Sequence, residues 1–334
     1  MNTLEFAIWR PDLFEEGFAQ LNSGAAFDRI IFHAHQEFEY NVFQHFEALV
    51  DYSDIHDVPF YVVISTSKFV KPLHDAEATR YRNVVIQHWG TFLLTDTIFH
   101  RRHIPESVPE PFRFPFISMN NKPHAHRCLM LDTLAKYSLI DRGAVSWRDE
   151  QYRSESHTAF RYPFKHWTPV TKMLTEADTA FNHLRLPSEY NQSFVQLVVE
   201  SSPRVSIASE KTWMPIINKK LFVVFGAQHH HAMLQDYGFL LYDEIFDYSF
   251  DKEPDQETRA EIIVRDLIRI VNTPLLEQHQ IYNLMVPKLE YNYNLAMTLA
   301  KDRTQIPEII QELRQDPDNI HVPRLITDFI YEAF

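Results

Sequence analysis

"SFVQLVVESSPRVSIASEKTWMPIINKKLFVVFG", residues 193–226, carries the pattern that sets the fold class. Its ends, "SFVQLVVE" (193–200) and "LFVVF" (221–225), are continuous apolar runs of strand length rich in Val and Phe. Such runs mark strands covered on both faces. Between them Ser209 is a residue type that caps helices, and "KTWMPII" continues as a short, mostly apolar helix. Strand, helix and strand in so short a span predict a parallel pair with a crossover helix. The helix start has two registers. Ser209 is one N-cap; Thr212 is the other, and it would put Pro215 in the first turn, where a missing N–H costs nothing.

The same alternation extends upstream. "FAIW" (6–9), "RIIFHA" (29–34), "FYVVIST" (60–66) and "NVVIQHW" (83–89) read as strands. "FEYNVFQHFEALVDYS" places Phe38, Val42, Phe43, Phe46, Leu49 and Val50 at helical spacing between the second and third. A proline-rich stretch, "RRHIPESVPEPFRFPF", then breaks the pattern and predicts a domain boundary. Beyond it "FISM" (116–119) and "GAVSW" (143–147) are strands around the helix "HRCLMLDTLAKYSL". "HHAMLQDYG" is a helix that Gly238 closes, and from about residue 256 the pattern is helical to the end. The expectation is an α/β protein with two Rossmann-like lobes, parallel sheets and a helical C-terminal tail. Its expected parts are 1–112, 113–275 and 276–334, with ligands at the carboxyl ends of strands.

Composition narrows the function classes. A formal net charge of −13 disfavours non-specific binding to polyanions, so nucleic acid is an allowed but not a favoured partner. No apolar run reaches the length of a membrane span, and the acidic N-terminus lacks the order of a signal peptide. One cysteine, Cys128, provides no internal disulfide and fits a reducing compartment, so a soluble cytoplasmic protein is expected. Only six glycines are present, and none lie close enough for a G-x-G-x-x-G or P-loop cradle. Any phosphate must then be held by side chains and helix N-termini.

Three segments carry candidate chemistry. In "NNKPHAHR" (120–127), after a strand and before a helix, His124, His126 and Arg127 would point toward the crevice and Arg127 could pair bidentately with a phosphate, although spacing alone favours a helix start with ordinary solvated cations. In "VVESSPRVSIASEK" (198–211), Glu200 ends an apolar strand, where a carboxylate is costly without a partner. Glu210 suits a helix N-terminus, whereas the cation of Lys211 opposes the helix dipole there and points to a nearby anion. In "FGAQHHH" (225–231), Gly226 allows close backbone approach ahead of a helix N-terminus. Consecutive histidines do not share a helix face, and no acid or cysteine set accompanies them, so a metal site is not expected.

These segments resemble the donor-binding region of the α-1,3-fucosyltransferases. There a strand ending Phe-Glu-Asn-Ser leads through a loop to Thr-Glu-Lys, a helix, a strand and glycine. The ten-residue step from Glu200 to Glu210 matches, and "ISMNNKPHAHRCLMLDTLAKYSLIDRGAVSW" (117–147) resembles the upstream strand, Arg-started helix and strand. The likeness covers roughly residues 114 to 250, with Ser201 in place of Asn, Ser209 in place of Thr, and Ile207 where the family commonly has Tyr beside the base. It implies a two-lobed GT-B glycosyltransferase with the donor site in the second lobe and the acceptor side in the first. Arg127 and Lys211 would contact the donor pyrophosphate and Glu210 the ribose, with Glu200 and Gly226 completing the donor site. The implied reaction is displacement of a nucleoside diphosphate from a nucleotide sugar by an acceptor hydroxyl, inverting and without a metal or other cofactor. The base would come from the first lobe: Asp96 in "TFLLTDTIF", taken as a crevice loop, with Glu37 and Glu39 as rivals. Two further readings are a phage-type transferase acting on a modified nucleic-acid base, and a non-catalytic nucleotide- or glycan-binding module.

Overall fold

The computed structural model describes the chain except residues 1, 8–10, 35–42, 65–78, 101–111, 121–123, 148–161, 175–185, 205, 303, 305 and 316–334. Glu37, Glu39, most of the proline-rich stretch and the final apolar segment therefore lie outside the described residues. The chain forms two compact units, one of residues 1–99 with 298–334, the other of residues 100–297. The division falls between residues 99 and 100, at the start of the proline-rich stretch, where 112/113 within it was expected. The C-terminal helices, expected as one part, divide between the units at Thr298.

In the first unit four parallel strands, β1 (Thr3–Ala7), β2 (Arg29–Ala34), β3 (Phe60–Ile64) and β4 (Val84–His88), lie side by side in chain order. Right-handed crossovers that always step the same way place their helices on one face. That face carries Leu4, Phe6, Ile30, Phe32, Phe60, Val62 and Ile64, which form one core with Leu49 and Val50. Leu49 and Val50 come from helix α2 (Phe43–His56), and helix α1 (Pro11–Asn22) sets Phe18 and Leu21 against the same cluster. Alternate residues point the other way. There Arg29 binds Glu312 at 2.8 Å, and Gln87 accepts from the Ile309 N–H at 3.3 Å. Residues 309 and 312 belong to the helix Glu308–Gln315, so a C-terminal segment covers the second face.

The segment read as a loop around Asp96 is a helix, α3 (Phe92–His100). Thr95 and Thr97 donate their hydroxyls back to the carbonyls of Thr91 and Leu93, which lets buried threonines sit inside a helix. Asp96 lies on that helix between them, not on a loop.

The second unit has a different topology. Its strands β5 (Phe114–Ser118), β6 (Ala144–Val145), β7 (Ser193–Val199) and β8 (Leu221–Phe225) are parallel in the order β6-β5-β7-β8. After β5 the chain steps left through α4 (Ala125–Lys136), then returns and steps right from β7 through α6 (Glu210–Ile217). A short helix, α5 (Ser188–Asn191), leads into β7. Steps of opposite direction put α4 and α6 on opposite faces. Every residue of β7 and β8 is accordingly buried, as their continuous apolar runs require.

Three helical elements complete the unit. α7 (His230–Asp236) ends at Gly238 with φ +94°, where Phe239 N–H reaches Leu234 O and Gly238 N–H reaches Gln235 O, a Schellman cap. α8 (Gln256–Asn272) packs on α4, β5 and β8. α9 (Leu275–Lys301) anchors through the Tyr282 hydroxyl to Lys219 O and through Asn292, which brackets both backbone groups of Leu240. α10 is the covering helix of the first unit, Glu308–Gln315. Among the described residues no helix is long and apolar enough to cross a membrane.

Candidate functional site

In an open parallel sheet, ligands bind where the strand order reverses, beyond the carboxyl ends of the two strands that diverge. The second sheet reverses between β5 and β7. Beyond β5 stand Asn120 and, at the start of α4, His124, His126 and Arg127; beyond β7 stands Glu200. The fold therefore brings the first two candidate segments to one end of one sheet. The described strands of the first sheet run in chain order and offer no such reversal.

Glu200 is the hub of this end. It is 1% exposed, and its carboxylate accepts four hydrogen bonds. Oε2 takes the Ser201 N–H at 2.6 Å and the Ser209 hydroxyl at 2.5 Å. Oε1 takes the Ser209 N–H at 2.7 Å and the Thr212 hydroxyl at 2.8 Å. Its backbone is fixed as well: its N–H reaches Phe225 O at 3.0 Å, and its carbonyl accepts from His126 Nε2–H at 2.7 Å. A carboxylate at the end of an apolar strand needs partners, and here both ends of the 201–209 loop supply them. Glu200 thus closes the loop upon itself and sets the start of α6.

The donors fix the ring tautomers. A carbonyl only accepts, so His126 carries its proton on Nε2. Burial foremost, with the charges of Arg127 and Lys211 adding to it, pushes the His126 pKa down to about 3 against the pull of its bond to Glu200. Thr212 spends its hydroxyl proton on Glu200, so it accepts from His230 Nε2–H at 3.1 Å. Burial likewise lowers His230 to about 4, and both rings are neutral at physiological pH. His126 stacks on His124 with ring centroids 5.8 Å apart.

Ser209 is the N-cap of α6, its hydroxyl accepting the Lys211 N–H at 3.2 Å. This settles the register: Pro215 is the sixth helical residue, inside the helix, where it removes the bond that its N–H would have made to the Lys211 carbonyl. Glu210 and Lys211 open the helix with side chains 13% and 25% exposed. Lys211 Nζ donates to Glu210 Oε1 at 2.5 Å and to the Ser201 hydroxyl at 2.8 Å. Ser201, a departure from the resembled family, is thus a direct partner of the cation. Arg127 is only 4% exposed, a fixed charge within the fold instead of a solvated arm. Ile207 is half-buried on the loop.

The third segment has a different role from the one expected. A Cβ on Gly226 would lie 3.2 Å from the Cβ of Glu200 and 3.4 Å from His230 Nδ1, so the glycine lets those two side chains close on the strand end. The helix N-terminus beyond it is already filled. Asp251, on the 3₁₀ turn Tyr248–Lys252, accepts the N–H groups of His231 (2.9 Å) and Ala232 (3.0 Å), and its carbonyl accepts that of His229 (2.7 Å). No place remains there for an external phosphate. His231 Nε2 accepts the Val224 N–H at 3.2 Å, so its proton sits on Nδ1 and points to Asp251 at 3.1 Å. Of the three histidines His230 and His231 are core latches, and His229 occupies the left-handed N-cap position with φ 64°. Among the described residues no group of three or more His, Cys, Asp or Glu is arranged to hold a metal ion.

Asn120 was not singled out in the sequence; Thr212 entered only as an alternative N-cap and His230 only as part of the three-histidine run, neither as a partner around Glu200. Asn120 is fully buried; its N–H reaches the Ser146 hydroxyl at 2.9 Å and its side-chain amide the Ser118 hydroxyl at 3.0 Å, tying the ends of β5 and β6. The place of Glu200 at the end of an apolar strand was the signal for the hub. Asp96 belongs to the first unit, apart from these residues in the chain's division. No protein family, curated protein or solved structure matches this chain.

Proposed function

We propose that the second unit binds the diphosphate of a nucleotide sugar and that the protein is a glycosyltransferase. The supporting observation is the placement of Lys211, Glu210 and Arg127 at the reversal point of the second sheet, around a loop that Glu200 holds closed. Lys211 is the partly exposed cation and contacts the phosphates directly. Arg127 adds a buried positive charge, and Glu210 accepts from ribose hydroxyls. Glu200 and Gly226 position this set without touching the ligand. Because the α7 N-terminus is occupied by Asp251, side chains carry the phosphate grip.

In the transfer an acceptor hydroxyl displaces the nucleoside diphosphate from the sugar's anomeric carbon. The leaving group gains negative charge, and cations already fixed in place stabilise it more than the ground state. The acceptor is a carbohydrate or another hydroxyl-bearing molecule, whose proton passes to a carboxylate. Asp96 of α3 is the first carboxylate to test as that base. A thermal-shift screen with UDP, GDP, CMP and their sugars tests the reading, since a ligand bound only by the native state raises its melting temperature. A rise with one nucleotide family, reduced in Lys211→Ala, supports it; no rise with any of them refutes it.

A further inference from the structure

Lys211 stands in the first turn of α6, where the helix dipole is unfavourable to a cation. The structure meets that cost internally. The carboxylate of Glu210 lies 2.5 Å from Lys211 Nζ, and the Ser201 hydroxyl takes a second ammonium proton at 2.8 Å. Ser201 is held by its own N–H on Glu200, so the cage around the ammonium is built on the buried hub. Both charged side chains are mostly shielded from water, at 13% and 25% exposure, which strengthens their pairing over that of a fully solvated pair.

We propose that Glu210 is an internal counter-anion that caps the anion site, so that a phosphate-bearing ligand binds by displacing its carboxylate from Lys211. This rests on the proposed phosphate role of Lys211 and deepens it. The ligand class is a di- or polyphosphate, whose oxygens replace one carboxylate oxygen on the ammonium while the Ser201 hydroxyl stays in place. The released Glu210 carboxylate then accepts from hydroxyl donors on the ligand. A ligand with phosphates and vicinal hydroxyls recovers the cost of opening the pair; bare pyrophosphate does not. The cap therefore discriminates nucleoside diphosphates from inorganic phosphates.

The test is calorimetric titration of inorganic pyrophosphate, UDP and GDP into wild type, Glu210→Gln, Glu210→Asp and Lys211→Ala. Glu210→Gln removes the competing charge, and pyrophosphate should bind about three- to tenfold more tightly, the scale of a partly shielded ion pair. Glu210→Asp keeps the charge but shortens the arm by one methylene, so the cap loosens and pyrophosphate again binds more tightly than to wild type. Lys211→Ala should weaken pyrophosphate at least tenfold. The capping inference is overturned if pyrophosphate binds Glu210→Gln no more tightly than wild type, or binds none of the proteins. It is also overturned if Glu210→Gln gains affinity while Glu210→Asp does not, since simple charge repulsion predicts that pattern. If pyrophosphate shows the expected gains but neither UDP nor GDP binds wild type, the cap stands and the nucleotide reading fails.

Discussion

Replacing Glu200 by Gln keeps the shape of the hub and removes one acceptor. The carboxylate serves four donors, two on each oxygen, and each oxygen holds one backbone N–H and one hydroxyl. A glutamine presents one oxygen and one NH₂. If the NH₂ replaces Oε2 it faces the Ser201 N–H and the Ser209 hydroxyl; the hydroxyl can turn to accept, but the N–H cannot. If it replaces Oε1 the orphan is the Ser209 N–H, while the Thr212 hydroxyl must turn away from the carboxylate. Either orientation leaves one buried backbone donor opposed by another donor, at about 1–3 kcal/mol, and weakens the remaining bonds by removing their charge. The expected total is about 2–4 kcal/mol. Glu200→Gln should lower the urea midpoint, followed through tryptophan emission, to which buried Trp213 on α6 contributes with four other tryptophans. Thr212→Val should cost less, about 1–2 kcal/mol, because it removes one donor from Glu200 and one acceptor from His230. A Glu200→Gln midpoint indistinguishable from wild type would refute the hub.

Gly226→Ala puts a methyl 3.2 Å from the Glu200 Cβ and 3.4 Å from His230 Nδ1, so a loss of about 1–3 kcal/mol should appear in the same urea melts. Lys220 is buried, with its ammonium on the carbonyls of Tyr190 and Ser193 and over the rings of Phe112 and Tyr190. Burial lowers its pKa to about 7, so the unfolded chain holds the extra proton above that pH. Its contribution should make wild type more stable from pH about 7 towards 9, and Lys220→Met should flatten the slope of urea midpoint against pH. For Asp251 burial alone would raise the pKa, but the His231 ring and the N–H groups of His231 and Ala232 hold it down to about 2. Its stabilisation is complete above pH about 4 and fades as pH falls towards 2, so Asp251→Ala should lose about 1–3 kcal/mol at pH 7 and show a smaller acid-induced loss in circular-dichroism melts.

Strands were legible wherever apolar residues ran without interruption. "RIIFHA" and "LFVVF" match β2 and β8 end to end; in β8 burial leaves no polar residue to blur the limits, and in β2 Arg29 and His33 flank a continuous apolar run. α3 was not legible: Gly90 before it and the threonines within it carry a loop's signature. Thr95 and Thr97 fit inside the buried helix because their hydroxyls bond to carbonyls one turn earlier. At the site, the need of Glu200 for partners followed from its place at a strand end, whereas the cap at Ser209 was one of two registers, with Thr212 the other. Which donors met that need did not follow, since they come from residues 201, 209 and 212 and depend on how the loop folds back. Asp251 filling the end of α7 was beyond local reading, because the capping group stands 20 residues away from His231. The division of the C-terminal helices was equally hidden, for amphipathic spacing shows that a helix has a buried face but not which unit covers it.

The central claim, that Lys211 at the reversal of the second sheet holds ligand phosphates, is met most directly by titrating a nucleoside diphosphate into wild type and Lys211→Ala. Far-ultraviolet circular dichroism first establishes that both are folded. Wild type should bind with measurable heat, and Lys211→Ala at least tenfold more weakly. Equal affinity of the two folded proteins would contradict it.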